Sequence, residues 1–154
     1  MVRLSEDDRH WLDVAIAEAR KGREEGGVPI GAALVAEGQL LGAGHNRRVQ
    51  SGSPIHHGET DALADAGRLP AHVYRRSTMY TTLSPCDMCT GALLLYDIPR
   101  VVIGEHETFV GAEDLLRGRG VEVVVADDAE CIELMRAFIA EHPQLWHEDI
   151  GEEP

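Results

Sequence analysis

His57-Gly58-Glu59 and Pro85-Cys86-Asp87-Met88-Cys89 are the segments of this chain whose side chains could do chemistry together. One histidine and two cysteines are three metal ligands of the kind zinc takes. Three protein ligands leave the fourth tetrahedral position open, which is what separates a catalytic zinc site from a structural one. Glu59, two residues from His57, then stands as a carboxylate beside that position rather than as a ligand. Zinc lowers the pKa of the water it holds to about 7, so a nearby carboxylate can take up a proton at neutral pH and pass it on. The implied chemistry is hydrolysis, with one carboxylate moving the protons.

Each half is weak alone, since C-x-x-C is also the pattern of a redox dithiol. In this order, with Pro85 before the first cysteine, H-x-E followed by P-C-x-x-C is the pattern of the zinc deaminases. Zinc is the expected cofactor, with His57, Cys86 and Cys89 as ligands; which His57 nitrogen binds is open. Glu59 is the expected catalytic group, accepting a proton from the water, delivering it to a ring nitrogen, and then helping to protonate the departing amine. Taken alone, Glu59 is equally an acidic residue at a favourable helix start.

The elements that must position these residues alternate between helical and strand-like patterns. Ser5 caps a first helix with Asp8 as capping-box partner, Trp11, Leu12, Ala15, Ile16 and Ala19 form its apolar face, and Gly22 and Gly26-Gly27 end it. Val28 to Ala36 and Gln39 to Gly44 read as strands joined by a Glu37-Gly38 hairpin, followed by a Ser- and Gly-rich loop. His57 to Ala66 is helical in composition and Thr78 to Leu83 strand-like; a helix starts at Ser84-Pro85 and stops before Pro99. Val101 to Ile103 and Val121 to Val125 are further strands, with a short helix at Ala112 to Arg117 between them. Asp127-Asp128 caps a helix through Ala140, and a terminal helix or tail covers Pro143 to Ile150. The sum is an α/β three-layer domain over residues 1–154 with a five-stranded mixed sheet, its last three strands parallel. Both metal-binding segments fall at helix N-termini, whose positive dipole ends favour thiolates.

The bulk composition narrows the substrate. The chain has 154 residues, 14 basic and 27 acidic, for a formal net charge of −13. A protein that grips DNA or RNA must neutralise phosphates with Lys and Arg, so a small neutral molecule suits this chain better. No apolar run is long enough to cross a bilayer, and Glu6, Asp7 and Asp8 near the start are unlike a secretory leader, so the expected compartment is cytoplasmic. The third cysteine, Cys131, lies on an apolar stripe and reads as a small buried hydrophobe.

The chain resembles the yeast-type cytosine deaminases, within the cytidine and deoxycytidylate deaminase superfamily. The resemblance rests on Glu25-Gly26-Gly27-Val28-Pro29-Ile30-Gly31, Gly44-His45-Asn46, His57-Gly58-Glu59, Tyr80 through Ala92, Ile98-Pro99-Arg100 and Trp146 through Glu152. It implies the cytidine-deaminase-like α/β/α sandwich, a homodimer, a place in pyrimidine salvage, and a closed pocket for a free base. It also implies that Asn46, the Gly58 backbone and the Ser84 carbonyl contact the base. Asp149 would meet the exocyclic amine, Ile30 would line the pocket, Phe109 and Trp146 would cover it, and residues 143–154 would form a lid.

Five positions depart from the family pattern. Val49 stands where the family has a pocket phenylalanine, and His56, His106-Glu107 and His147 are more polar than expected. They are either surface drift or the marks of a larger, more polar pocket. The expected reaction is hydrolytic deamination of a nucleobase, cytosine to uracil first. Alternatives are a purine or amino-triazine base such as guanine or isoguanine, a tRNA- or DNA-editing deaminase, and a zinc-stabilised binding module without turnover.

Overall fold

A computed structural model describes residues 3–153, so residues 1, 2 and 154 of the expected domain lie outside the described residues. Helix α1 (Glu6–Glu24) leads into the hairpin β1 (Gly31–Ala36) and β2 (Gln39–His45). Then come α2 (Arg48–Ser51), α3 (Gly58–Ala66), α4 (Ala71–Tyr74), β3 (Ser77–Leu83), α5 (Asp87–Leu95) and β4 (Arg100–Glu105). The chain closes with α6 (Glu113–Gly118), β5 (Glu122–Val125), α7 (Ala129–Glu141) and α8 (Pro143–Asp149). The sheet order is β2-β1-β3-β4-β5. β1 is antiparallel to β2 and β3, whereas β3, β4 and β5 are parallel, as the helical crossovers require. No helix of the described residues is long and apolar enough to cross a membrane.

Side-chain alternation along the strands divides the interior in two. Ala32, Leu34, Met79, Val101 and Ile103 face one way and pack with Ala62 of α3, Leu93 of α5 and Leu116 of α6. Ala33, Val35, Tyr80 and Val102 face the other way and pack with Leu12, Ala15 and Ile16 of α1 and Cys131 of α7. The result is the expected three layers, with Cys131 as a core residue. A third cluster, Val28, Ile30, Leu83, Met135, Phe138 and Trp146, joins the sheet to α7 and α8 at the end where the metal-binding residues lie.

Several boundaries differ from the sequence expectation for physical reasons. Ser5 caps α1 by accepting from the Asp8 N–H at 3.1 Å. The Asp8 carboxylate does not complete a capping box; it takes a two-pronged bond from Arg100 at 2.7 and 2.8 Å and the Tyr80 hydroxyl at 2.7 Å. A guanidinium fork is the stronger partner. Gly22 does not end α1 but lies inside it, against His45, and the helix stops before Gly26, at φ +86°. β1 begins at Gly31 rather than Val28, and α5 begins at Asp87 with Cys86 as its N-cap, leaving Pro85 outside the helix. The loop after β2 contains α2, and α4 precedes β3; each is one turn, too short to show a period.

Helix α3 rides unusually close to β2. A methyl group on Gly42 would lie 2.4 Å from the Ala66 nitrogen and 2.5 Å from the Ala62 oxygen, so a side chain there would force backbone apart. Closeness lets α3 serve the outer edge of the sheet: Asp65 accepts from the Ala43 N–H and Asp61 from the His45 N–H, both at 2.9 Å. These carboxylates occupy donors that an edge strand otherwise leaves open. Gly42→Ala is expected to destabilise the protein by about 2 kcal/mol, lowering the thermal midpoint by about 5 °C. Gly118→Ala, on an exposed helix end with nothing within 4 Å, should be neutral or slightly stabilising in the same thermal-unfolding comparison. Equal effects of the two changes would contradict the close-approach account.

Candidate metal centre and pocket

His57 is the N-cap of α3 and Cys86 the N-cap of α5, so two helix N-termini converge on one point. The His57 turn is fixed by Thr60, whose hydroxyl oxygen accepts from the His57 N–H at 2.9 Å while donating to the Ile55 carbonyl at 2.7 Å. Cys89 lies one turn into α5 and is fully buried. The ligand atoms of His57, Cys86 and Cys89 all lie within 4.8 Å of one another. His57 Nδ1 is 3.5 Å from Cys86 Sγ and 3.8 Å from Cys89 Sγ. A tetrahedral ion with ordinary Zn–S and Zn–N bonds sets its ligand atoms about 3.6 Å apart, so the donor set fits zinc. Nδ1 is therefore the nitrogen that faces the ion, a point the sequence leaves open. The other nitrogen, Nε2, faces Asp149 Oδ1 at 3.5 Å.

The electrostatics follow from burial and from the pairing of these groups. Cys86 is lowered to about 4, chiefly because the Cys89 thiol donates to it; the His57 contact assists and together they outweigh burial. Cys89, the donor of that pair and buried, is pushed well up. For His57 burial opposes the charge, but the Cys86 thiolate and the carboxylates of Asp149 and Glu59 outweigh it and raise the imidazole to about 9. Glu59, 3% exposed, is raised to about 7 by burial and by the Cys86 thiolate. A carboxyl group titrating near neutrality is suited to moving protons in both directions. Asp149 is also raised, by burial, against the pull of His57 and of the hydrogen bond from Asn46.

Above these groups lies a narrow pocket, with about 20 Å³ of free volume, that combines a polar floor with apolar walls. His57, Glu59, Cys86, Ser84 and Asp149 supply the polar groups; Ile30, Leu83, Phe109, Trp146 and Ile150 supply the walls. Trp146 and Phe109 meet edge to face, with ring centroids 5.8 Å apart at 87°. Asn46, fully buried, is pinned at one end by the Arg48 N–H on its Oδ1 and donates from Nδ2 to Asp149 Oδ1, both at 3.0 Å. The neighbouring His45, 2% exposed, is clasped by Glu18 at 2.9 Å and Glu25 at 2.8 Å, which ties the end of β2 to α1. Gly58 lies flat against Ile30, where a methyl group would approach the Ile30 carbonyl to 3.2 Å.

The structure thus gathers His57, Glu59, Cys86, Ser84, Ile30, Phe109, Trp146 and Asp149 around one cavity, with Cys89 buried beside His57 and Cys86, Asn46 bonded to Asp149 and Gly58 against Ile30. Val49 is not with them. It stands exposed on α2, 39% accessible, and does not line the cavity, because the one-turn helix carries it away from the end of β2. The other departures also lie off the lining. His56 bonds Asp61 at 2.8 Å and Ser51 at 2.9 Å, His106 faces Glu113 at 3.2 Å, and His147 meets the Pro143 carbonyl at 2.6 Å. Of the two readings of these departures, surface drift is the one their places off the lining favour. Leu83 and Ile150 line the cavity unforeseen; the only signal for them was adjacency to Ser84 and Asp149 in the chain.

A mixed five-stranded sheet, two facing helix N-termini with a His-Cys-Cys donor set, and one buried carboxyl beside them define a zinc-dependent deaminase. The chain belongs to the cytidine and deoxycytidylate deaminase family, whose model of the zinc-binding region matches residues 5–105. It is 55% identical over 147 residues to cytosine deaminase of Candida albicans, covering 95% of this chain and 98% of that protein. It is 34% identical over 113 residues to a tRNA-specific adenosine deaminase of Streptococcus pyogenes, covering 71% of this chain and 70% of that one. Among solved structures, a tRNA:A34 deaminase studied for A-to-I editing superposes with a TM-score of 0.69 at 26% identity, over 82% of this chain and 99% of that one.

Metal uptake should be coupled to proton release with a definite sign. In the metal-free protein near pH 7.5, His57 (about 9) and the raised Cys89 thiol each hold a proton that a ligand must lose, whereas Cys86 (about 4) has already lost its own. Calorimetric titration with zinc in buffers of different ionisation enthalpy is expected to give about two protons released per ion. The affinity should rise with pH between about 6 and 9, as protons compete less for His57. Uptake without proton release, or an affinity flat over that range, would contradict the assigned charge states.

Proposed function

We propose that this chain is a hydrolytic deaminase of a free nucleobase, with cytosine, giving uracil and ammonia, as its substrate. The observation that carries this reading is the roof over the metal-binding residues. Helix α8 brings Asp149 to 3.5 Å from His57 and sets Trp146 against Phe109, so the pocket is covered by the chain's own C-terminal segment. An editing deaminase must admit a flipped nucleotide together with its backbone, which this roof obstructs. The net charge of −13 also disfavours a polyanionic partner. The extent of the likeness supports the same choice, since it runs over 95% of the chain for the cytosine deaminase and 71% for the tRNA enzyme.

Bound zinc supplies Lewis acidity and a water acidified to about 7. The protein supplies the rest. Glu59, buried beside the metal-binding residues, takes a proton from the attacking water and delivers it to a ring nitrogen; it then takes the second proton, from the hydroxyl that the attack adds to the ring carbon, and passes it to the departing amine, leaving the ring carbonyl. Asn46, with Oδ1 engaged by Arg48 and one Nδ2 hydrogen by Asp149, keeps its second N–H for a carbonyl oxygen of the base. Asp149 accepts from the exocyclic amine, and the Gly58 N–H and Ser84 carbonyl complete the polar contacts. Ile30, Phe109 and Trp146 enclose the ring and exclude water. Residues 143–153 serve as the lid of a single domain, and lid opening sets the pace of product release.

By the same resemblance the enzyme works as a homodimer in pyrimidine salvage, with the cytoplasm as its compartment on the sequence reading. Exposed Leu95 and Tyr96 at the end of α5, and Leu115 on the adjoining α6, offer apolar surface for a second copy. The test is ammonia release from cytosine, isocytosine, guanine, isoguanine, an amino-triazine and cytidine. Cytosine should be fastest, and Glu59→Gln should keep its zinc while kcat falls about 10³-fold. Faster release from a purine or triazine would overturn the substrate; unimpaired turnover by Glu59→Gln would overturn the proton shuttle.

A further inference from the structure

Two buried carboxylates outside the metal site hold the loop that carries Phe109. Glu105, at the end of β4, is fully buried. It accepts from the Glu107 N–H at 2.7 Å, from the Thr108 N–H at 3.0 Å and from the Thr108 hydroxyl. Glu113, at the start of α6, is 3% exposed and accepts from the Ser84 hydroxyl at 2.6 Å. The Ser84 oxygen in turn accepts from the Gly111 N–H at 2.9 Å. The loop also rests directly on Pro85, where a methyl group on Gly111 would meet the Pro85 oxygen at 1.8 Å. The far end of the loop is thereby stapled to Ser84-Pro85, immediately ahead of the ligand Cys86. Between the two anchors, Phe109 stands edge-on to Trp146.

Burying a carboxylate is costly unless its oxygens are bonded, and the proton chemistry at Glu59 makes no use of Glu113. We propose that Glu113 is a positioning residue: through Ser84 and Gly111 it fixes Phe109 against Trp146 and so sets the width of the pocket. Its task is that of a hydrogen-bond acceptor at a fixed reach. Net charge is secondary: its charged partners, His106 at 3.2 Å and Arg117 at 3.6 Å, are more than a third exposed, and an amide oxygen still accepts from the Ser84 hydroxyl, though more weakly.

The kinetic part of this inference rests on the deaminase reading; the spectroscopic part needs no turnover. In a Trp11→Phe background Trp146 is the single tryptophan of the chain. In the zinc-loaded protein, Glu113→Ala should shift Trp146 emission to the red and make it more open to acrylamide quenching. It should also raise KM for cytosine about tenfold, the worth of one buried hydrogen bond, with kcat nearly unchanged. Glu113→Gln should restore most of both, since a weaker acceptor is back at the same reach. Ser84→Ala, which deletes only the hydroxyl and keeps the fold if Glu113→Ala does not, should reproduce the loss without adding to it in the double variant. Unchanged emission and KM in Glu113→Ala at full zinc content would overturn the proposal, as would a Glu113→Gln variant as damaged as Glu113→Ala. If the parent protein releases no ammonia from cytosine, the substrate reading fails and Trp146 emission alone decides the role of Glu113.

Discussion

Two helix N-termini facing each other is an arrangement that electrostatics opposes, and the rest of this molecule depends on how it is resolved. The N-terminal ends of α3 and α5 both carry partial positive charge and unpaired N–H groups. Here each end is capped by a metal-binding residue, His57 on one and Cys86 on the other. Thiolate charge between the dipoles turns repulsion into attraction. Burial first, and then the same charge, raises Glu59, and the charge also raises His57 against its burial, so the groups that gather at the two helix ends are electrostatically linked.

Bringing those ends together demands that both helices lie close to the sheet. α3 achieves this at Gly42, where no side chain separates helix from strand, and through Asp61 and Asp65, which satisfy the open edge of β2. His45, locked between Glu18 and Glu25, ties the same edge to α1 and so fixes Asn46. The opposite wall depends on parallel strands: β3 delivers Ser84 and Pro85, and β4 delivers the loop bearing Phe109. The roof comes last in the chain. α7 and α8 pack Phe138 and Trp146 on Val28, Ile30 and Leu83, so this end of the chain is an extension of the core.

Elements with a full period of apolar residues or a clear cap were legible in the sequence: α1, α3, α7, and all five strands to within a few residues. α2 and α4 were not, because a single turn carries no periodic signal. The start of α5 was misplaced because proline suits a first helical turn, yet Cys86 takes the cap and Pro85 lies before it. Asp8 matched a capping box in spacing but was claimed by Arg100, ninety-two residues away in the chain. Competition of that kind is invisible to local pattern.

The sequence by itself determined the chemistry: the ligand types, the spacing that sets Cys86 and Cys89 one helical turn apart, and a carboxylate two residues from the histidine. These are short-range facts, governed by residue type and helical period. Only the tertiary structure decided which His57 nitrogen faces the thiols, that Val49 points to solvent, that Leu83 and Ile150 complete the pocket, and that Asn46 meets Asp149 across 103 residues of chain. Those outcomes depend on packing between distant segments, where each position is set by the volume and bonding of neighbours that no local pattern specifies.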